Sequence, residues 1–115
     1  MRCVIERVSH AKVEVSGNVV GLIKKGFLIY VGIHHLDDEK IVLKMAQKVL
    51  ALRIFEDSAQ KMNLNLKQVE GQILSISQFT LYGDTKGNNR PSFIESAKPD
   101  LAKSLYDLFN QELSQ

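Results

Sequence analysis

The segment Phe27-Leu-Ile-Tyr-Val-Gly-Ile33 constrains this chain more than any other. It is a nearly continuous apolar run, rich in β-branched residues and far too short to cross a membrane as a helix. Such a run reads as a central strand buried on both faces. A turn at Lys24-Lys25-Gly26 precedes it, and extended segments precede that. Residues 2–9 are β-branched and of mixed polarity, Lys12-Val-Glu-Val15 alternates, and Val19-Val-Gly-Leu-Ile23 resumes after turn chemistry at Ser16-Gly17-Asn18.

After Asp37 the period changes. Ile41, Val42, Met45, Ala46, Val49 and Leu50 recur at helical spacing, with Asp37 or Asp38 placed to cap the helix start. Residues 52–57 return to strand alternation, 58–68 form a loop or hairpin arm, and Gln72 to Tyr82 read as one strong strand. Residues 83–92 hold Gly83, Gly87, Asn88, Asn89 and Pro91 and form an irregular loop. Pro99 suits the first turn of a second helix, lined by Leu101, Leu105, Leu108, Phe109 and Leu113 through to the end of the chain. The expectation is one α+β domain over residues 1–115, ordered β-β-β-α-β-β-α, with hairpin-linked strands and two helices packed on the sheet. With 44% hydrophobic and 24% charged residues, the composition is globular.

Several function classes fall away. A net charge of +2 permits nucleic-acid contact without demanding it, since a phosphate-coating protein is usually far more basic. One cysteine, Cys3, forms no internal disulfide and fits a reducing compartment. On its apolar strand it reads as a small core residue rather than a nucleophile. The N-terminus carries charges inside its apolar run and shows no signal-peptide core, so a soluble cytoplasmic protein without membrane contact is expected. His34 and His35 are adjacent on an extended segment and point to opposite faces, and no HExxH or CxxC occurs, so no metal site is expected. Neither GxxxxGK[ST] nor GxGxxG is present to cradle phosphates.

The stretch Leu74-Ser-Ile-Ser-Gln-Phe-Thr-Leu-Tyr82 is the chemically informative one. If it stays extended, Leu74, Ile76, Gln78 and Thr80 share one face, which turns polar toward the strand's end. A buried strand that gains hydrogen-bonding groups just before a Gly/Asp/Asn loop commonly opens into a pocket. The competing reading is that Ser77, Gln78 and Thr80 merely satisfy nearby backbone. An alcohol nucleophile at Ser77 or Thr80 needs a positioned base, and neither GxSxG nor SxxK occurs. Backbone N–H groups of an irregular strand end can instead stabilise an oxyanion with no particular side chain. Lys24, Lys25, Lys86 and Arg90 lie in turns and loops, where solvated charge is the simpler reading than phosphate contact.

The blocks Met1-Arg2…Val4-Ile5…Arg7-Val8, Leu52-Arg-Ile-Phe-Glu-Asp57, Lys61-Met-Asn-Leu64, Ser77-Gln-Phe-Thr-Leu81 and Arg90-Pro-Ser-Phe93 occur in that order across the chain. Together they resemble the D-aminoacyl-tRNA deacylases, first described as D-tyrosyl-tRNA deacylases. The resemblance implies a mostly antiparallel, barrel-like sheet with two helices, in a homodimeric cytoplasmic enzyme that needs no metal or organic cofactor. Its substrate would be the 3′ acceptor end of aminoacyl-tRNA, from which it hydrolyses D-amino acids, and glycine mischarged on tRNA for alanine. The ribose 2′-hydroxyl would assist attack. Carried over by position, Ser77, Gln78, Phe79 and Thr80 line the adenosine and ester pocket, and Phe79 and Thr80 present backbone N–H groups to the oxyanion. By the same resemblance, Arg7 would help anchor the chiral-selection element and Met62 would lie near the pocket.

The family rejects L-amino acids with a Gly-cisPro dipeptide inserted into the partner subunit, followed by a final strand. This sequence holds only Arg90-Pro91 and Lys98-Pro99, and the second helix runs to residue 115. A shortened variant or a fragment is therefore expected, with relaxed exclusion of L-substrates and an open strand edge. Two alternatives stand beside the deacylase: a non-catalytic remnant that dimerises or binds the tRNA acceptor end, and a small-molecule esterase using Thr80 or Ser77.

Overall fold

A computed structural model describes residues 1–114. Four strands come first: β1 (Arg2–Val8), β2 (Ala11–Val15), β3 (Asn18–Ile23) and β4 (Gly26–Gly32). Helix α1 (Glu39–Ala51) follows, then β5 (Phe55–Glu56), β6 (Met62–Leu64) and β7 (Gln72–Ser77), a 3₁₀ turn at Phe79–Tyr82, and α2 (Pro99–Leu113). Four strands thus precede the first helix, matching the four extended segments rather than the three strands of the expected order, and three follow it where two were expected. Residues 52–57 contribute only a two-residue strand.

The central sheet has the order β1-β4-β7, with β1 antiparallel and β7 parallel to β4. β1 skips its sequence neighbour because β2 and β3 form a separate hairpin. Ser16 (φ 52) and Gly17 (φ 80) both take positive φ, as a two-residue turn matched to strand twist requires. β5 and β6 form a third ribbon. Pairing is antiparallel everywhere except β4–β7, but no hydrogen-bonded ladder joins the three sheets into a closed barrel among the described residues.

The apolar run is the central strand, though its two sides are covered unequally. Phe27, Ile29 and Val31 are at most 1% exposed beneath the helices, whereas Leu28 and Tyr30 on the opposite face are half-buried. The core joins them to Val42, Ala46 and Val49 of α1 and to Leu105 and Phe109 of α2. Ile41 and Leu101, expected on the buried helix stripes, are exposed at their margins. Asp38 caps α1 by accepting from the Ile41 N–H at 3.0 Å. Asp37 instead accepts from the Met1 amine at 2.7 Å and from the His34 N–H at 2.8 Å, its side chain 5% exposed. Close backbone approach fixes one glycine: a Cβ at Gly26 would lie 1.8 Å from the Gln72 carbonyl oxygen across the parallel pair. Cys3 packs on this core, and burial pushes its thiol up to about 11.

Candidate functional site

The strand expected to reach Tyr82 ends at Ser77. The Gln78 N–H still donates to the Val31 carbonyl at 2.8 Å, completing the parallel ladder, and the chain then tightens into the 3₁₀ turn. Alternating faces hold through Ser77 and fail for Thr80, because 3₁₀ geometry replaces the period of two. The cause lies in packing. The turn sits on Gly32, where a Cβ would come within 3.0 Å of Leu81 and 3.3 Å of Tyr82. Tyr82 is buried there, its ring edge-on to His34 and covered by the Arg2 guanidinium 4.6 Å from its centroid. That burial holds the Tyr82 phenol above its ordinary range.

Three further contacts clamp the turn. Arg2 donates to the Leu81 carbonyl at 2.6 Å, the Ser96 hydroxyl donates to the Phe79 carbonyl at 2.9 Å, and the Gly83 N–H donates to the Thr80 carbonyl at 2.9 Å. The first N–H groups of any helical turn lack an internal partner. Here the Phe79 and Thr80 N–H groups donate to no protein acceptor among the described residues. The Thr80 hydroxyl accepts a hydrogen bond from the Gln78 side-chain amide, a group that cannot take a proton from it.

Beside the turn lies a cavity of about 610 Å³, walled by Ser77 and Phe79 on one side and by the start of α2 on the other. Phe79 and Phe93 meet edge to face at 5.1 Å, with Phe79 58% exposed. The opposite wall carries Ala97, Lys98, Pro99, Ala102, Lys103 and Tyr106. Tyr106 locks this wall to β7, donating to the Ser75 carbonyl at 3.0 Å and accepting from the Ser75 hydroxyl at 3.2 Å. No carboxylate, imidazole or thiol lines the cavity among the described residues.

Of the six site residues expected from sequence, Ser77 and Phe79 line the cavity and Gln78 and Thr80 adjoin it. Arg7 and Met62 lie away from the cavity. Arg7 pairs opposite Phe27, four residues along β4 from the Val31 row that holds Ser77, about 13 Å at strand rise. It donates to the Ile54 carbonyl at 3.1 Å and approaches Glu56 at 3.9 Å. Met62 is 63% exposed on the same β5–β6 ribbon, opposite Glu56. Sequence reading missed Phe93, Ser96, Lys98 and Tyr106. They converge only because the 92–97 segment pairs back on Ile33 and His34, through Ala97 N–H to the Ile33 carbonyl and an isolated bridge between His34 and Ser96. No group of three or more metal-ligating side chains converges among the described residues.

Residues 4–115 match the D-Tyr-tRNA(Tyr) deacylase family. The chain belongs to that family. A D-aminoacyl-tRNA deacylase of Fusobacterium nucleatum is 56% identical over 113 residues, covering 98% of this chain and 75% of that protein. One from Lactobacillus acidophilus is 53% identical, covering 98% of this chain and 78% of that protein. Among solved structures, a c-Myc DNA unwinding element binding protein superposes with a TM-score of 0.92 at 32% identity, covering 98% of this chain and 76% of that one. A probable eukaryotic D-amino acid tRNA deacylase shares the fold, with a TM-score of 0.83 at 18% identity, covering 96% of this chain and 65% of that one. These deacylase relatives agree with the α+β architecture of two helices on a mixed sheet.

Proposed function

We propose that this chain hydrolyses the ester between a D-amino acid and the 3′-terminal adenosine of tRNA, and likewise glycine carried by tRNA for alanine. The observation that carries the reading is the pair of adjacent, undonated N–H groups of Phe79 and Thr80 on a turn clamped by Arg2, Ser96 and Gly32. Fixed donors of this kind stabilise the oxyanion that develops as water adds to the carbonyl, without reorganisation during the reaction. The tetrahedral intermediate then expels the ribose 3′-oxygen, giving free amino acid and tRNA. The absence of a carboxylate, imidazole or thiol from the cavity lining among the described residues supports a relay of the water proton through the vicinal 2′-hydroxyl to the leaving 3′-oxygen. Thr80, held by an amide, is not the nucleophile. Ser77 and Gln78 shape the pocket, and the exposed Phe79 ring offers a face to the adenine.

The enzyme works as a cytoplasmic homodimer. Support comes from the apolar surface of the β2–β3 hairpin, where Val15, Val19, Val20 and Leu22 are all more than half exposed, and from the half-covered outer sheet face with Val4 43% exposed. Arg7 and Met62 enter the ester site only from a second subunit.

Hydrolysis of D-tyrosyl-tRNA and L-tyrosyl-tRNA by the folded chain tests the activity; no hydrolysis of the D-ester overturns it. Phe79→Pro tests the donor role. Gln78 is outside the α region (φ −143, ψ 91) and needs only a modest increase in ψ to precede a proline, and the Phe79 N–H makes no bond to lose. Relative to Phe79→Ala, which removes only the ring, Phe79→Pro should cost a further factor of about 10²–10³ in kcat. Thr80→Ala should cost less than about tenfold, because the amide it keeps is the active group.

A further inference from the structure

We propose that Lys98 and Lys103 form a two-point grip on the phosphodiester groups immediately 5′ of the terminal adenosine, setting affinity for the nucleic acid rather than the chemistry at the ester. The inference rests on the deacylase reading, which places the ester carbonyl at the Phe79–Thr80 N–H groups and the base near Phe79. The polynucleotide backbone must then leave the cavity past its remaining wall, the start of α2. There the titratable groups of the lining are Lys98, Lys103 and Tyr106, with no carboxylate among them. Lys98 is the extended N-cap residue of α2 and Lys103 follows in its second turn, so both stand at the same end of that helix.

Their electrostatic surroundings leave them available. Lys98 has no ion-pair partner among the described residues. Lys103 pairs with Asp107 at 2.7 Å, but both side chains are more than half exposed, so water and salt screen the pair. Asp107 also raises the affinity of Lys103 for its proton and keeps the ammonium charged. The first turn of α2 has no side-chain cap, so its N–H groups add partial positive charge, against which Asp100 acts. A net charge of only +2 cannot draw a polyanion to this cavity by itself. The attraction has to be local, and this rim supplies it.

The test compares two esters with and without phosphate: D-tyrosyl-tRNA and D-tyrosyl-adenosine. Lys98→Ala/Lys103→Ala should lower kcat/KM on the tRNA ester roughly tenfold at 0.15 M salt, through KM. It should also flatten the slope of log kcat/KM against log salt by about 1.4, the value for two contacts to a single strand. The loss on D-tyrosyl-adenosine should be far smaller than on the tRNA ester, and Lys98→Arg/Lys103→Arg should restore the tRNA substrate. An unchanged salt slope, or equal losses on both esters, overturns the grip. If the unaltered chain hydrolyses neither ester, the deacylase reading fails instead. The grip is then judged by fluorescence anisotropy with deacylated tRNA, where unaltered binding by the double alanine variant rejects it.

Discussion

The central sheet and the β2–β3 hairpin are built from the same kinds of residue, yet they meet opposite fates. On β4, Phe27, Ile29 and Val31 are sealed beneath α1 and α2; on the hairpin, Val15, Val19, Val20 and Leu22 stand more than half in solvent. β-Branched chemistry specifies the strand in both cases, while the helices decide which strand becomes core. The hairpin touches the sheet where Gly21 meets Leu74, a Cβ there coming within 2.7 Å of that side chain. Its exposed valines carry no such cover among the described residues.

Breaking the sealed side should have the largest effect. Phe109→Ala empties a fully buried site between the helices and the sheet, and should lower unfolding free energy by about 3–5 kcal/mol in a denaturant titration. Alkylation of Cys3 on the same face should run about a hundredfold slower at pH 8 than that of a free thiol, because its pKa is raised from 9.0 to about 11. The neutral thiol is the form favoured by folding. The stabilisation from Cys3 is therefore complete below pH 9 and lost as pH rises through about 11. Tyr106→Phe removes both hydrogen bonds to Ser75 and should cost about 1–3 kcal/mol, with a loosened cavity wall that raises KM before it lowers kcat. On the exposed side, Val20→Thr should change monomer stability by less than about 0.5 kcal/mol. If the proposed homodimer uses this surface, the same variant should weaken self-association in sedimentation equilibrium; unaltered association would reject that role for the hairpin.

The contrast also marks how far the sequence could be read. The first four strands, the Ser16-Gly17 turn, the Asp38 cap and Pro99 at a helix start are local signals, and each lies where its chemistry directs. The parallel register of β7 on β4 is not local, because it depends on residues more than forty positions apart. The site divides the same way. Ser77-Gln-Phe-Thr80 stood out as a polar strand end, but its conversion into a 3₁₀ turn follows from Gly32 beneath it and Arg2 above it. Lys98 and Tyr106 carried no signal at all, since their place at the cavity is set by helix packing rather than by spacing.

The parallel pairing of β4 with β7 also sets a schedule for synthesis. Gly26 lies opposite Gln72, about 46 residues downstream. At roughly 5–20 residues per second, the ribosome needs about 2–9 seconds to deliver that partner. β1 is already made and can zip onto one edge of β4 by antiparallel pairing, but the other edge of the most apolar strand must wait. The nascent chain is therefore most prone to aggregate between the emergence of Gly32 and that of Gln72, a window in which α1 is the only long element available to shield it.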